Sequence, residues 1–204
     1  NGIEMGDGDY LLPGAGSTIG TLPSGTSAYA QRVGNKLNLV NYTYSGSLNG
    51  IECNGSLNLG VAGTNSFSTD GSYGIKVGLD LDISGSGELT ITDQYNNIYC
   101  GHDFNLSDTV LNITSIRTGI YVGNGNFTMN SGELNIDAQY DGINAVSVTF
   151  NGGTALIKSG EQSHDGSFAA IWADDIILDS GLIAYASVYS SGTAAGELNA
   201  DELT

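Results

Sequence analysis

A column of isoleucines, Ile51, Ile75, Ile98, Ile120, Ile143 and Ile171, recurs at intervals of 24, 23, 22, 23 and 28 residues. A spacing this regular means that one structural unit is laid down repeatedly. The neighbours of each isoleucine repeat with it. Gly50, Gly74, Asn97, Gly119, Gly142 and Ala170 precede the column, and Cys53, Val77, Cys100, Val122, Ala145 and Ala173 follow two residues later. A second pattern reads Leu57/Leu59, Leu81/Ile83, Phe104/Leu106, Phe127/Met129, Val148/Phe150 and Ile176/Leu178, and a third reads Leu89/Ile91, Leu111/Ile113, Leu134/Ile136, Ala155/Ile157 and Ile183/Tyr185.

Every pair is spaced by two, the period of a strand that buries one face. Three short strands per unit, joined by Gly, Asn, Asp and Ser turns, predict an all-β solenoid: a single-stranded parallel β-helix with three strands per coil. The 31 glycines against two prolines suit tight turns between continuously paired strands, where proline would remove a donor. The pattern divides the chain into an N-terminal cap over residues 1–35, a β-helix over 36–187, and a C-terminal tail or cap over 188–204. Leu37 and Leu39 read as the third strand of an incomplete first coil. Segments 41–49 and 158–167 read as insertions protruding from one corner, where a protein partner would dock.

Charge restricts the partners. Five Lys and Arg against 22 Asp and Glu give a net charge of -17, too few cations to neutralise phosphates, so nucleic acid is excluded as a partner. No apolar run approaches the roughly 20 residues of a membrane span. The sequence starts at Asn1, as expected of a secreted product whose leader has been removed. Cys53 and Cys100 occupy the same coil position two coils apart, roughly 9 to 10 Å, beyond disulfide reach, and are expected to be buried free thiols.

The alternation that buries the isoleucines turns Glu52, Lys76, Tyr99, Tyr121, Asn144 and Trp172 outward. Aromatic rings on a rigid sheet offer faces to the C–H side of sugar rings, though outward aromatics also simply suit strands. A neighbouring corner stacks Ser56, Asp80, Asp103, Asn126, Ser147 and Asp175. Two residues on, Asn58, Asp82, Asn105, Thr128, Thr149 and Ile177 form the next row. Asp80, Asp82, Asp103 and Asn105 therefore crowd oxygen ligands together, which suits calcium or else a solvated acidic edge. The Asp7-Gly8-Asp9 segment fits an Asp-rich turn as well as a ligand. Before the isoleucine column come Tyr73, Tyr95, Arg117 and Tyr140. Arg117 between two tyrosines would clasp a sugar carboxylate, or would relieve repulsion among Asp93, Asp137 and Asp141. The two histidines, His102 and His164, lie in loops outside any nucleophile or zinc pattern, and no carboxylate pair stands out for glycoside hydrolysis, so catalysis has little support.

The segments Gly-Glu-Leu-Thr-Ile at 87–91, Gly-Glu-Leu-Asn-Ile at 132–136 and Asp-Gly-Ile at 141–143 resemble a bacterial secreted β-helix family of carbohydrate-binding domain-containing proteins. The resemblance covers roughly residues 50–185. It implies a right-handed parallel β-helix, secreted or on the bacterial cell surface, that binds acidic plant polysaccharide of the pectin type with calcium and without cleavage. Asn97 and Ala170 stand where such repeats carry glycine. An adhesin or surface spacer is the main alternative. A polysaccharide lyase, with Arg117 as its base, is another.

Overall fold

The computed structural model describes residues 2–93, 95–160, 169–178 and 183–187. Three parallel sheets run along a solenoid, and each coil contributes one strand to each. The first sheet contains Ile51–Cys53, Tyr73–Val77, Asn96–Cys100, Ile120–Val122, Ile143–Asn144 and Ile171–Trp172. The second contains Lys36–Val40, Leu57–Ala62, Leu81–Ser84, Phe104–Ser107, Asn126–Met129, Ser147–Phe150 and Asp175–Leu178. The third contains Thr43–Gly46, Thr64–Thr69, Glu88–Asp93, Val110–Ser115, Glu133–Ala138, Thr154–Ser159 and Ile183–Ser187. There is no helix among the described residues.

The isoleucine column stacks in register, with Ile51 opposite Ile75, Ile75 opposite Ile98, Ile98 opposite Ile120, and so on to Ile171. Ile75, Ile98, Ile120 and Ile143 are fully buried, while Ile51 and Ile171 at the ends of the column are only partly so. Ile51 has no preceding first-sheet strand to cover it. The second sheet adds an aromatic ladder inside, with Phe104, Phe127 and Phe150 rings 5.2 and 5.9 Å apart. Burial of each such side chain contributes roughly 1.5–3 kcal/mol, and the coils share that gain because every inward residue touches two neighbours of its own column.

The glycines before the isoleucine column answer to the third sheet. A Cβ at Gly74 would sit 2.3 Å from Ile91 Cγ2, so the inward isoleucine of the third strand needs a bare corner there. Asn97 replaces glycine by a different device. Its buried side chain donates from Nδ2 to the carbonyls of Ile91 (2.8 Å) and Thr114 (2.9 Å), clamping two coils at the corner.

The first coil departs from expectation in two ways. Leu37 and Leu39 belong to the second sheet, opposite Leu59 and Val61, not to the third. The third strand of that coil is Thr43–Gly46, so the middle of the supposed insertion at 41–49 is a paired strand with Tyr44 opposite Phe67. Two features hid it. Second and third strands share the same Leu-x-Leu spacing, and in the coil that follows the first the third-sheet position elsewhere held by Leu89 is Asn65. Asn65 is fully buried, accepts from the Tyr42 amide at 2.8 Å and donates to three carbonyls, those of Ala62, Gly63 and Glu88. At the other end the register also shifts by one from expectation. Ala184 and Ala186 stand opposite Ala155 and Ile157, while Ile183 and Tyr185 stand opposite Thr154 and Leu156. Most of the second expected insertion, residues 161–167, lies outside the described residues, as does the tail after Ser187.

Tyr10–Leu11 and Tyr29–Val33 extend the second sheet in antiparallel fashion beyond Lys36–Val40. Met5 and Leu11 pack against the core from this side. Replacement of Ile98 by alanine in mid-column is expected to lower unfolding stability by roughly 2–5 kcal/mol, whereas Tyr121→Ala on the outer face should cost far less. Urea unfolding of the two variants checks this.

Candidate functional site

On the outer face of the first sheet the strand register places Glu52, Lys76, Tyr99, Tyr121, Asn144 and Trp172 in one line. The line falls into two parts. At one end Lys76 Nζ and Glu52 Oε1 pair at 3.0 Å, the one ion pair among the described residues. Their hydrogen bond lowers the Glu52 carboxyl and raises the Lys76 ammonium from their ordinary values, and both stay solvent-exposed. Tyrosines come next. Tyr73 meets Tyr99 at 5.6 Å and 58°, and Tyr99 lies against Tyr121 at 5.8 Å and 15°. Tyr99 and Tyr121 thus stack on each other, because strands about 4.8 Å apart bring equivalent rings into offset contact. Trp172, two strands beyond Tyr121, is 54 % exposed.

The adjoining corner holds the expected cation. The Arg117 guanidinium carbon lies 4.9 Å from the Tyr95 ring centroid and 5.9 Å from that of Tyr140, one tyrosine from each neighbouring coil. Arg117 is exposed and forms no ion pair among the described residues. The rival role is relief of repulsion among Asp93, Asp137 and Asp141, and of these Asp141 has donors of its own. Asp141 Oδ1 accepts from the Ala169 amide at 3.0 Å, and its Oδ2 accepts from Asn144 Nδ2 at 3.2 Å. The Asp93 side chain lies outside the described set. Along the same corner a groove of about 870 Å³ is lined by residues that include Tyr44, Asn49, Glu52, Asp70 and Tyr95, so it opens beside the Arg117 stack. Tyr44 and Asn49 were hidden by the reading of 41–49 as an insertion.

The acidic corner forms a hydrogen-bonded ladder. Ser56 Oγ donates to Asp80 Oδ2, the Asp103 amide donates to Asp80 Oδ1, and the Asn126 amide and Nδ2 both donate to Asp103 Oδ1. Asn105 Nδ2 donates to Asp82 Oδ1 at 2.8 Å. Adjacent coils thus supply donors to one another's carboxylates, which offsets repulsion between stacked charges. Asp82 and Asp103 each keep one oxygen without a donor among the described residues. Among the described residues no three His, Cys, Asp or Glu side chains converge in a way that would hold a metal ion by themselves. Asp7 and Asp9 serve turns, accepting from the amides of Gly34 and Gly6.

His102 is exposed, and His164 lies outside the described residues. Cys53 and Cys100 flank Val77 on opposite sides and are both free thiols. Cys100 is buried as expected; Cys53 is only half-buried, because it shares the uncovered edge of Ile51.

A family model for carbohydrate-binding domain-containing proteins matches residues 40–201, most of the chain. The chain belongs to that family. Membership gives this solenoid a carbohydrate-binding role and suggests a polysaccharide as its partner. No curated protein and no solved structure is significantly similar to the chain. Among the described residues no helix is long and apolar enough to cross a membrane.

Two measurements check the local electrostatics. Burial raises the Cys100 thiol to about 11, so few thiolates exist below pH 9. Native protein should label at Cys53 well before Cys100, and both should label once unfolded, as a Cys53→Ser control with mass spectrometry would show. Burial also raises the Asp141 carboxyl above 3.8, against the pull of its two hydrogen bonds. A raised acid holds its proton in the native state after the unfolded chain has lost it, so stability falls as pH rises from 3.8 through the native value and levels off above. Unfolding free energies of wild type minus Asp141→Asn across that window should show this slope.

Proposed function

We propose that this carbohydrate-binding solenoid holds an acidic polysaccharide, without cleaving it, across the first-sheet face and its Arg117 corner. The observation that carries the reading is the Arg117 guanidinium held between the rings of Tyr95 and Tyr140, with no carboxylate among the described residues paired to it. Stacking fixes the plane of the guanidinium, so its fork is already oriented for a sugar carboxylate and little side-chain freedom is lost on binding. In a chain of net charge -17 that rigid cation is the chemical group best suited to distinguish an acidic glycan from a neutral one. Tyr99, Tyr121 and Asn144 lie on the same three coils and Trp172 on the next, and they supply ring contacts and hydrogen bonds.

Calcium is the proposed bridge at the acidic corner. The donor-free oxygens of Asp82 and Asp103, with the carbonyl of the Asn105 amide near by, supply hard ligands of the kind calcium takes, and polysaccharide carboxylates would complete the set. The protein then acts outside the cell, secreted or at a bacterial surface, where acidic plant polymers of the pectin type are met.

Affinity electrophoresis through gels containing polygalacturonate tests the reading. Wild type should be retarded, and Arg117→Ala should weaken binding about 10- to 100-fold, the worth of a charge-assisted hydrogen-bond pair. Arg117→Lys should recover only part, because lysine lacks the planar fork. Chelation should weaken the remaining retardation, and no ultraviolet-absorbing unsaturated product should accumulate. Equal mobility of wild type and Arg117→Ala in the gel would overturn the assignment of the corner.

A further inference from the structure

Tyr121 uses one ring face against Tyr99, at 5.8 Å and 15°, which leaves its other face turned along the sheet toward Asn144 and Trp172. Asn144 is a short side chain between two large rings, and no ring contact joins Tyr121 to Trp172 across it. Two strand steps separate those residues, about 9.6 Å between backbones. A flat ring gripped on both faces at van der Waals distance occupies roughly 7–8 Å between the gripping planes, so one ring fits with slack for side-chain tilt.

Asp141 sets both the floor and the span of this gap. Its Oδ2 takes the Asn144 Nδ2 hydrogen, which fixes the amide and leaves Asn144 Oδ1 as an acceptor with no donor among the described residues. Its Oδ1 takes the Ala169 amide, three residues before Trp172, and so ties the coil bearing the tryptophan to the coil bearing Asn144. Asp141 is itself buried, so the tie is shielded from water.

From this juxtaposition we infer that Tyr121, Asn144 and Trp172 form a slot for a single pyranose ring, clamped on both faces and hydrogen-bonded at one hydroxyl by Asn144 Oδ1. This rests on the reading of the first-sheet face as the carbohydrate site and adds a selectivity to it. A ring clamped from both sides must present C–H groups on both faces, which requires equatorial hydroxyls. The slot therefore takes a gluco- or xylo-configured sugar in preference to a galacto-configured one, whose axial hydroxyl would press against an aromatic face without a partner. Arg117 precedes Tyr121 by four residues, at most roughly 14 Å along the chain. A mixed glycan can reach both, with a uronate carboxylate at the corner and an equatorially substituted ring in the slot, whereas a galacturonate homopolymer would engage the Arg117 corner without filling the slot.

Trp172 is the chain's only tryptophan, so its emission reports on the slot directly. Titration of wild type with xylohexaose should change that emission saturably, and β-1,4-galactohexaose should need at least about tenfold more ligand. Tyr121→Ala and Asn144→Ala should each shift the xylohexaose midpoint by about tenfold. Asn135→Ala, on the third sheet, should leave it in place, and matching urea midpoints show that all the variants are folded. Failure of xylohexaose to alter the emission, or an equal response to both sugars, overturns the slot. Arg117-dependent retardation by polygalacturonate would then still stand, since that test does not pass through Trp172. Loss of retardation with the xylohexaose response intact would leave the slot and remove the acidic corner.

Discussion

In-register pairing of parallel strands is the constraint on which everything else in this molecule depends. It makes residues 22 to 24 apart in sequence nearest neighbours about 4.8 Å apart in space, so any side-chain type repeated at that interval becomes a column. Inside, columns of isoleucine, leucine and phenylalanine form one continuous core. Outside, the same rule generates rows whose chemistry is set by whichever residue each coil places there. A change at one position therefore acts chiefly on the coils above and below it, as expected of a quasi-one-dimensional structure.

Function follows from how unlike the outer rows are. The acidic corner spends most of its carboxylate oxygens on donors from the adjacent coil, so it is first a structural ladder. The tyrosines of the first sheet likewise satisfy one another in part. What remains open is narrower: the guanidinium between Tyr95 and Tyr140, and the far face of Tyr121 with Asn144 and Trp172 beyond it. A rigid cation and a rigid ring surface on one strand spacing suit a polymer ligand, because a polysaccharide repeats on a comparable scale and can engage several coils together.

The repeat made the strands and nearly all of the registers readable from sequence, since burial imposes a period of two that side-chain chemistry cannot disguise over many coils. Legibility failed where the pattern had fewest neighbours to support it. In the coil next to the first, Asn65 sits at an inward position yet is polar, and its four hydrogen bonds to backbone groups replace the apolar contact that the period leads one to expect. With that landmark missing, Leu37 and Leu39 fitted the wrong sheet and Thr43–Gly46 passed for a loop. At the other end, Ile183 and Tyr185 satisfied a period of two just as Ala184 and Ala186 do, and only backbone pairing distinguished the two phases.

The sequence by itself determined the architecture, the identity of the inner columns, and which residues share each outer row, because all three depend only on spacing along the chain. Tertiary structure alone decided how the members of a row use their faces: that Tyr99 and Tyr121 stack, that Arg117 is sandwiched while Asp141 turns to Ala169 and Asn144, and that the acidic carboxylates are largely bonded. Spacing fixes where a Cβ stands. The torsions beyond it are settled by neighbours from other coils, and those neighbours exist only once the coils have stacked.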